Sequence, residues 1–405
     1  MEIIDIVYLF FFTIMIFSSV LWLLVYIVHR DEVYLSPEPS ELPSVTFLVP
    51  AYNEEEYISD TISSILDVDY PDEKFEVIAI NDGSTDSTLS KLKEFKNRIT
   101  IIDKENTGKA DSMNQALAQV ETDLLVSMDA DSYPEKDFLR QIVGYFEREG
   151  VKAVTPALKV RNPSNWVEKV QWTEYIFQIF LRKIFAMFDV QYVLPGPGSI
   201  YKADYVKEIG GWNEDTLTED MEIAFRIFSK GWRLDNTTNA YVHTEPEPTL
   251  RQLFRQRIRW YRGYIENLWK YTGLIGDRRH GNLGMFFLPF SVSWILLVVF
   301  FTGHFLYNTA NIFWSVIQTY MLTGELMLSM NLGIQSLTFF HLFVVYFVLI
   351  GIGIILLSLR VTEEPIRPWK RKTHYAMFLA IYAMLFAGFW MAAIGEHLLS
   401  GDRQW

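Results

Sequence analysis

A short apolar run that ends in two carboxylates constrains the fold of this chain more than any other feature. Leu124–Met128 is apolar at every position but Ser127, as in a strand from the middle of a parallel sheet. Asp129 and Asp131 follow at the carboxyl edge, where open α/β sheets bind ligands, and alternate residues of an extended chain project to one side. Two such oxygen ligands are predicted to hold Mg²⁺ or Mn²⁺ against a phosphate. Asp-x-Asp is also an ordinary strand-to-turn exit, so the rest of the chain must decide between the two interpretations.

Short apolar runs alternate with amphipathic stretches from Val45 onward. Strands are predicted at Val45–Val49, Phe75–Ile80, Ile99–Ile102, Leu124–Met128 and Val151–Val154. Helices are predicted between them near Glu55–Leu66, Ser87–Phe95, Ala110–Gln119 and Glu135–Glu149. Repeated strand–helix units imply right-handed crossovers, and hence a mostly parallel sheet with helices on both faces. We therefore expect an α/β domain over residues 45–250.

Hydrophobic residues make up 50% of the chain and aromatic residues 16%, which is high for a soluble protein. Ile6–Val28 carries no charge and, at about 1.5 Å per residue, is long enough to cross a bilayer. Its acidic start and the lack of a small-residue cleavage site favour an anchor helix over a cleaved signal peptide. We expect residues 1–30 to be a membrane anchor ending in the cytoplasm, and residues 31–44 to be a proline-rich linker.

Residues 281–405 are predicted to form a C-terminal transmembrane region. Its clear apolar segments are Met285–Tyr307, Thr338–Leu359 and Tyr375–Ile394. The loop after Leu359 is expected to be cytoplasmic by the positive-inside rule, because it contains Arg360, Arg367, Lys370, Arg371 and Lys372. Asn308–Ser336 has no Lys or Arg, which suits the outer side. An even number of crossings must separate this loop from a cytoplasmic α/β domain, so the ambiguous segment Ile312–Met330 is expected to lie on, or dip into, the outer face.

Two aromatic, amphipathic stretches are predicted to lie in the membrane interface. Residues 165–190 carry Trp, Phe and Ile among charged side chains and are too charged to span a bilayer. A buried core helix is the alternative for this stretch. Residues 251–280 contain the second helix, with its aromatic side chains in Arg257–Tyr271.

Further polar motifs follow the ends of neighbouring strands. In Pro50–Glu54, Tyr52 can cover a base and Glu54 can accept its N–H, although the motif also suits a helix cap. Asp82 ends the second strand, where a turn and a cap explain the residues after it but not a carboxylate at this edge. Lys109 begins a helix after the third strand, where it can contact phosphate or remain solvated.

Three later motifs complete the set. Pro195–Ser199 has two glycines, which allow close approach by a substrate or else form a strained turn. Thr218–Glu222 opens an amphipathic helix, so its first residues are interpreted as caps, but a carboxylate at a helix mouth can also be a general base. Gln256, Arg259 and Trp260 share one helical face, where the guanidinium suits a pyrophosphate and the indole suits a sugar ring.

The order of these motifs resembles the D, DxD, TED, QxxRW signature of membrane-integrated family 2 glycosyltransferases, which include cellulose, chitin, hyaluronan and poly-N-acetylglucosamine synthases. The resemblance covers residues 45–270 and the flanking membrane segments. It implies a GT-A catalytic domain that uses a nucleotide sugar with Mg²⁺ or Mn²⁺.

The resemblance also implies a role for each motif residue. The nucleotide would be bound by Tyr52, Glu54, Asp82, Asp129 and, at a less fixed position, Lys109. Metal and diphosphate would be bound by Asp129 and Asp131, and Asp220 would be the catalytic base. Gln256, Arg259 and Trp260 would bracket the diphosphate and the terminal acceptor sugar.

The leading hypothesis is a processive polysaccharide synthase of the plasma membrane, multi-pass and with a cytoplasmic catalytic domain. It would use a UDP sugar such as UDP-N-acetylglucosamine or UDP-glucose, invert the anomeric centre, and pass a β-linked polymer through its own helices. The alternative is a glycolipid synthase that adds one sugar to a membrane lipid. A non-catalytic membrane scaffold is a third interpretation.

The expected partners are a nucleotide sugar donor, a polysaccharide or lipid acceptor, and membrane lipids. With about four spans, an oligomer or partner subunit could complete the channel. No nucleic acid is expected, because the net charge is −13 and no Lys/Arg-rich tract is present. The chain has no Cys, which excludes a disulfide, a thiolate zinc site and a thiol nucleophile.

Overall fold

The computed structural model describes residues 3–324, 339–365 and 374–400, and is built around one eight-stranded sheet. The strands are β1 (Val45–Ala51), β2 (Phe75–Asp82), β3 (Thr100–Lys104), β4 (Leu124–Ser127), β5 (Ser132–Pro134), β6 (Val151–Val160), β7 (Ser199–Lys202) and β8 (Arg233–Thr244). Their order is β3-β2-β1-β4-β7-β6-β8-β5. The five predicted strands are present, whereas β5, β7 and β8 were not expected. β5 and β7 are very short, and β8 buries polar residues such as Asn236, Thr237 and Thr238, so none has the apolar run that predicts a strand.

The sheet is mostly parallel, as predicted, and contains two antiparallel strands. β2 pairs with β1 and β3, β4 pairs with β1, and β6 pairs with β8, all in parallel. β7 runs antiparallel between β4 and β6, and β5 runs antiparallel to β8. Ser127 at the end of β4 is in register with Ser199 at the start of β7. The loop that enters β7 therefore passes the carboxyl end of β4, where the two aspartates lie.

Helices cover both faces of the sheet. The helices of the described residues are α1 (Ile3–Val28), α2 (Ile58–Leu66), α3 (Thr88–Glu94), α4 (Lys109–Leu117), α5 (Phe138–Ile142), α6 (Trp166–Met187), α7 (Ala203–Glu208), α8 (Glu219–Ser229), α9 (Leu250–Lys270), α10 (Leu288–Thr323), α11 (Phe339–Val361) and α12 (Ala383–Ser400). Alternate residues of β1 enter opposite cores: Phe47 packs with Ile62 of α2, and Leu48 packs with Met113 of α4. This two-sided burial explains why β1 reads as an unbroken apolar run. The helix predicted over Glu135–Glu149 is shorter, because α5 passes into a 3₁₀ turn at Val143–Glu147.

Three helical segments in the described part of the chain are long and apolar enough to cross a membrane: Ile6–Val28, Leu283–Thr323 and His374–Leu399. A shorter apolar segment, Val345–Val361, lies within α11. Parts of the predicted topology lie outside the described residues, namely Thr338, positions 325–330 and the basic residues Arg367, Lys370, Arg371 and Lys372.

The predicted separation of Met285–Tyr307 from Ile312–Met330 is wrong as far as the structure describes this region. α10 is a single helix of 36 residues, about 54 Å long, that continues to Thr323. Neither Gly nor Pro interrupts residues 308–311, and Asn308 bonds through Nδ2 to His304 one turn earlier at 2.7 Å. The polar residues in this stretch are therefore accommodated within the helix and do not end it.

α6 lies between the sheet and the apolar helices. One side contacts β6 and β8, and the other contacts α1 and α11. Its N-terminus is fixed by a capping box. The side chain of Asn165 accepts from the backbone N–H of Glu168 at 3.1 Å, and the carboxylate of Glu168 accepts from the backbone N–H of Asn165 at 3.2 Å. Lys183 and Glu174 are both buried. Over most of its length α6 is therefore a buried helix, which was the alternative to the predicted interfacial helix.

Candidate active site

One cavity of about 1760 Å³ begins at the carboxyl edge of the sheet and continues between the apolar helices. It is lined by most of the motif residues that the sequence singled out, namely Glu54, Lys109, Asp129, Asp131, Asp220, Gln256, Arg259 and Trp260. These residues come from loops and helix ends spread over about half of the chain. The fold thus brings the predicted motifs to one place, with the exceptions of Tyr52 and Asp82.

Lys109 links two of the motifs by charge. Its Nζ lies 2.6 Å from Asp129 Oδ1 and 3.1 Å from Glu219 Oε1. Burial lowers the pKa of Lys109, but the two carboxylates outweigh this effect and raise it above its usual value. Gly108, the residue before α4, has a φ of +101°, which a residue with a side chain rarely adopts. The loop that directs Lys109 into the cavity therefore depends on this glycine.

The glycine loop before β7 packs directly on this ion pair. A Cβ at Gly196 would lie 2.6 Å from Lys109 Nζ and 2.8 Å from Asp129 Oδ1. Gly198 donates its backbone N–H to the carbonyl of Ser127 at 2.7 Å. In this structure the glycines thus allow the backbone of the loop to approach Asp129, the first aspartate of the pair. Close approach by a substrate stays a prediction.

Two cavity carboxyls, Asp131 and Glu54, have raised pKa values. Burial, followed by the charge of Asp129, raises the pKa of Asp131 to about 7. Burial, followed by the charges of Asp131 and Asp129, raises the pKa of Glu54 to about 7. Burial and the mutual repulsion of these carboxylates both disfavour their ionised forms, and a cation bound among them would reverse this effect.

Asp220 stands at the N-terminus of α8, half-buried, and lines the same cavity. Burial, followed by the charge of Glu219, raises its pKa to about 7. The pKa of Glu219 itself is lowered, because Lys109 outweighs the effect of burial. Thr218, interpreted from sequence as a cap, makes no capping hydrogen bond; its Oγ1 instead accepts from Asn267 of α9 at 3.2 Å. The motif therefore anchors α8 to α9 and leaves Asp220 facing the cavity.

α9 supplies the wall opposite the carboxylates. Gln256 donates from Nε2 to Glu247 Oε1 at 2.9 Å, and Arg259 is exposed toward the cavity. Trp260 is held by Arg257, whose guanidinium carbon lies 4.1 Å from the centre of the ring system. The predicted common face of Gln256, Arg259 and Trp260 is therefore present.

Tyr52 and Asp82 do not line the cavity. Tyr52 is 48% exposed. The carboxylate of Asp82 is buried and accepts hydrogen bonds from Lys104 Nζ at 2.5 Å, Thr107 N at 3.0 Å and Gly108 N at 2.9 Å. Asp82 thus fixes the loop that carries Lys109, and a contact with the nucleotide stays a prediction.

Sequence reasoning missed several residues that shape this site. Lys104 binds Asp82, Glu174 pairs with Arg257, and Arg182 lines the cavity. Lys104 and Glu174 meet partners that are distant in the chain, so no local pattern indicates them. Arg182 is visible only as a charge on an aromatic helix, which predicts a solvated position as readily as a buried one.

The oxygen donors of Asp129 and Asp131 fit a divalent cation in chemical type. Among the residues that the structure describes, no group of three or more His, Cys, Asp or Glu side chains is arranged to hold a metal ion. The remaining coordination positions would accordingly fall to water and to phosphate oxygens of a donor. This division suits Mg²⁺ or Mn²⁺, which usually bind through one or two carboxylates together with substrate phosphates.

Comparison with known proteins agrees with this geometry. Residues 43–263 match the family model described as glycosyltransferase like family 2. A poly-beta-1,6-N-acetyl-D-glucosamine synthase of Staphylococcus aureus (strain COL) is 30% identical over 303 residues, covering 71% of this chain and 73% of that protein. The synthase of the same description from Staphylococcus epidermidis is 28% identical over 315 residues, covering 73% and 75%. A solved mannosyltransferase from Pyrobaculum calidifontis, in complex with GDP-Man and Mn²⁺, has a TM-score of 0.58 at 20% identity and covers 98% of this chain and 99% of its own, which shows a GT-A-like fold.

Proposed function

The chain belongs to the family 2 glycosyltransferases, and from this membership we propose that it transfers a sugar from a nucleotide diphosphate sugar to a hydroxyl group of a growing β-linked polysaccharide at the membrane. The relatives named above are synthases of a β-linked amino-sugar polymer, which supports this acceptor and a UDP-linked donor such as UDP-N-acetylglucosamine or UDP-glucose. Export of the polymer through the protein's own helices belongs to the same proposal.

The observation that carries the proposal is the convergence of a general base, a cationic side chain and an aromatic acceptor platform in one cavity. Asp220 has a pKa near neutrality, so its carboxylate form is an effective proton acceptor at physiological pH. In the proposed step the acceptor hydroxyl gives its proton to Asp220 while its oxygen forms a bond to C1 of the donor sugar. The bond from C1 to the diphosphate oxygen breaks, and the nucleoside diphosphate leaves with the electron pair. A single displacement on an α-linked donor gives a β-linked product.

Positive charge for the leaving group comes from Arg259 and Lys109. Lys109 is bound to Asp129 and Glu219 in the structure, so contact with phosphate requires it to exchange at least one of these partners. A Mg²⁺ or Mn²⁺ held by Asp129 and Asp131 would neutralise further charge on the diphosphate. The indole of Trp260, fixed by Arg257, offers a flat face to the terminal acceptor sugar.

Transfer to a membrane lipid is a second candidate, and a specific observation favours it. The part of the cavity between the apolar helices is lined by aromatic and aliphatic side chains, including Trp294, Phe301 and Val348. Such a wall accepts hydrocarbon chains as well as the C–H faces of sugars.

The experiment is a screen of nucleotide sugars for release of nucleoside diphosphate by the purified protein with Mg²⁺ or Mn²⁺. Radiolabelled products then separate the candidates, because a polymerase gives a ladder of increasing length and a glycolipid synthase gives one organic-extractable product. Asp220→Asn is expected to retain donor binding and to lose about 10²–10⁴ of the turnover rate. Asp215→Asn, an exposed position outside the cavity, is the matched control. Normal turnover by Asp220→Asn would refute the assignment of the base.

A further inference from the structure

The cavity changes character as it enters the apolar helices. Near the sheet it is lined by carboxylates and basic groups, and further on by residues such as Trp294, Phe301, Phe305, Phe347 and Val348. Three hydroxyl groups of the helices around this part donate to their own helices: Ser18 to the carbonyl of Ile14 at 2.8 Å, Ser291 to that of Leu288 at 2.8 Å, and Thr302 to that of Val298 at 2.7 Å. These hydroxyl groups are therefore satisfied within their helices, and the aliphatic and aromatic side chains around them suit hydrocarbon.

Arg182 of α6 lies in the wall where the polar and apolar parts meet. Phe185, one turn further along α6, packs against Trp22 of α1 with ring centroids 5.2 Å apart, and both rings line the cavity. On the polar side, the charge of Asp220 is near enough to favour the protonated form of Arg182, although burial has the larger effect and lowers its pKa. A guanidinium keeps its charge under such conditions.

The guanidinium of Arg182 has spare hydrogen-bonding capacity. Its Nη2 donates to Gln178 Oε1 at 2.8 Å, and within residues 3–324, 339–365 and 374–400 it forms no ion pair. Lys109, a half-buried cation of the polar part, is by contrast bound to two carboxylates. Asp220 and Glu174 act on Arg182 through their charges, but no carboxylate of the described residues lies within ion-pair distance of its guanidinium. An arginine placed in this way in a cavity wall is suited to an anionic ligand, and its planar fork matches a phosphate.

We propose that Arg182 binds the phosphate of a lipid acceptor whose hydrocarbon chains occupy the apolar part of the cavity and whose hydroxyl group reaches Asp220. This inference rests on the proposed function and names the first acceptor on which sugars are added. Asp220 takes the proton of the lipid hydroxyl, the hydroxyl oxygen forms the bond to C1, and the nucleoside diphosphate departs. The phosphate stays on the lipid throughout and serves only to position it.

Three probes separate the features of this ligand. Dioleoylphosphatidylglycerol has chains, a phosphate and a hydroxyl; dioleoylglycerol lacks the phosphate; glycerol 1-phosphate lacks the chains. Binding to the full chain in detergent is measured by native mass spectrometry, and transfer by the organic-extractable label from a donor that the screen identifies. We expect the phospholipid to bind most tightly and to become labelled.

Variants of Arg182 test the role of its charge. Arg182→Gln is expected to weaken binding of dioleoylphosphatidylglycerol about 10- to 100-fold while leaving dioleoylglycerol unchanged, and Arg182→Lys is expected to recover part of the loss. Arg140→Gln, whose side chain is 46% exposed beside Asp69 and away from the cavity, is the control. Equal losses for both lipids would give Arg182 a purely structural role and overturn the inference. Glycerol 1-phosphate that binds as tightly as the phospholipid would overturn it too, because the site would then be one for free phosphate.

Failure of this inference is distinguishable from failure of the proposed function. Donor hydrolysis without binding or labelling of the phospholipid overturns the lipid acceptor and leaves the glycosyl transfer in place. Absence of both donor binding and donor hydrolysis, for every nucleotide sugar in the screen, refutes the proposed function itself.

Discussion

Single carboxyls in this site derive their properties from their neighbours. Asp220 and Glu219 are adjacent in the chain, yet the pKa of Asp220 is raised and that of Glu219 is lowered. Burial acts to raise both pKa values, and Lys109 makes the difference, because it lies 3.1 Å from Glu219 Oε1. The ionised Glu219 then disfavours a second negative charge on Asp220. Opposite shifts suit two carboxyls to separate tasks, and this supports the proposed role of Asp220 as the proton acceptor, with Glu219 as a structural anion.

This arrangement predicts an acid limb in the pH profile. Because the base must be deprotonated, kcat/KM for sugar transfer is expected to rise with pH up to an apparent pKa of about 7 and then level off. Below that value it should fall about tenfold per pH unit. Steady-state rates measured at constant ionic strength, with the donor well below KM, give the profile.

The variant Glu219→Gln identifies the group responsible for the limb. Glu54 and Asp131 also have pKa values raised to about 7, so the limb alone does not assign it. Removing the charge of Glu219 lowers the pKa of Asp220, and the limb is expected to move to lower pH. A limb that stays in place in Glu219→Gln would assign it to another carboxyl.

At the scale of elements, the sequence is informative wherever burial is dictated by a local pattern. β1, β2 and β4 have apolar runs because both faces of the sheet are covered, so their positions and the aspartates at the end of β4 could be predicted. The positions of β7 and β8 could not be predicted. β8 buries polar residues such as Asn236, whose burial depends on a partner: Asn236 Nδ2 donates to Thr155 Oγ1 at 2.6 Å. α6 shows the same limit, since its charged residues predict an interfacial helix until their distant partners are known.

The clearest such partnership is the ion pair between α6 and α9. Arg257 Nη2 lies 2.7 Å from Glu174 Oε2, and the two side chains are 0% and 4% exposed. Glu174→Gln leaves a buried guanidinium without its counter-charge, which is expected to cost about 3–5 kcal/mol of the free energy of unfolding. The midpoint of thermal unfolding in detergent measures the loss.

A double-variant cycle shows whether the pair acts as a unit. Glu174→Gln combined with Arg257→Gln removes both charges and is expected to cost less than the sum of the single changes. Arg140→Gln breaks the exposed pair with Asp69 and is expected to cost at most about 1 kcal/mol. Strict additivity of the two buried changes would contradict the coupling of α6 to α9.

The whole molecule is arranged so that the catalytic site and the apolar helices form one unit. α9 packs on α8 where Gly263 meets Thr218, since a Cβ at Gly263 would lie 2.4 Å from Thr218 Oγ1. The same helix stacks Tyr261 on Trp390 of α12, with ring centroids 4.6 Å apart. The α9 wall of the cavity is thus continuous with the C-terminal helices, and the polar and apolar parts of the cavity belong to one packed unit.

This architecture predicts that blocking the apolar part of the cavity will separate transfer from donor hydrolysis. Val348 of α11 lines the cavity, whereas its neighbour Leu349 does not and is 62% exposed. Val348→Trp fills the space that a polymer or a lipid chain must occupy. Transfer to either acceptor is therefore expected to fall at least about tenfold, because displacing an acceptor by about an ångström is enough for such a loss. Water remains able to reach the donor, and release of nucleoside diphosphate without acceptor should be retained. Leu349→Trp adds the same ring outside the cavity, about 100° around the helix, and is expected to leave both reactions unchanged. Equal transfer by wild type and Val348→Trp would mean that the acceptor does not use the apolar part of the cavity.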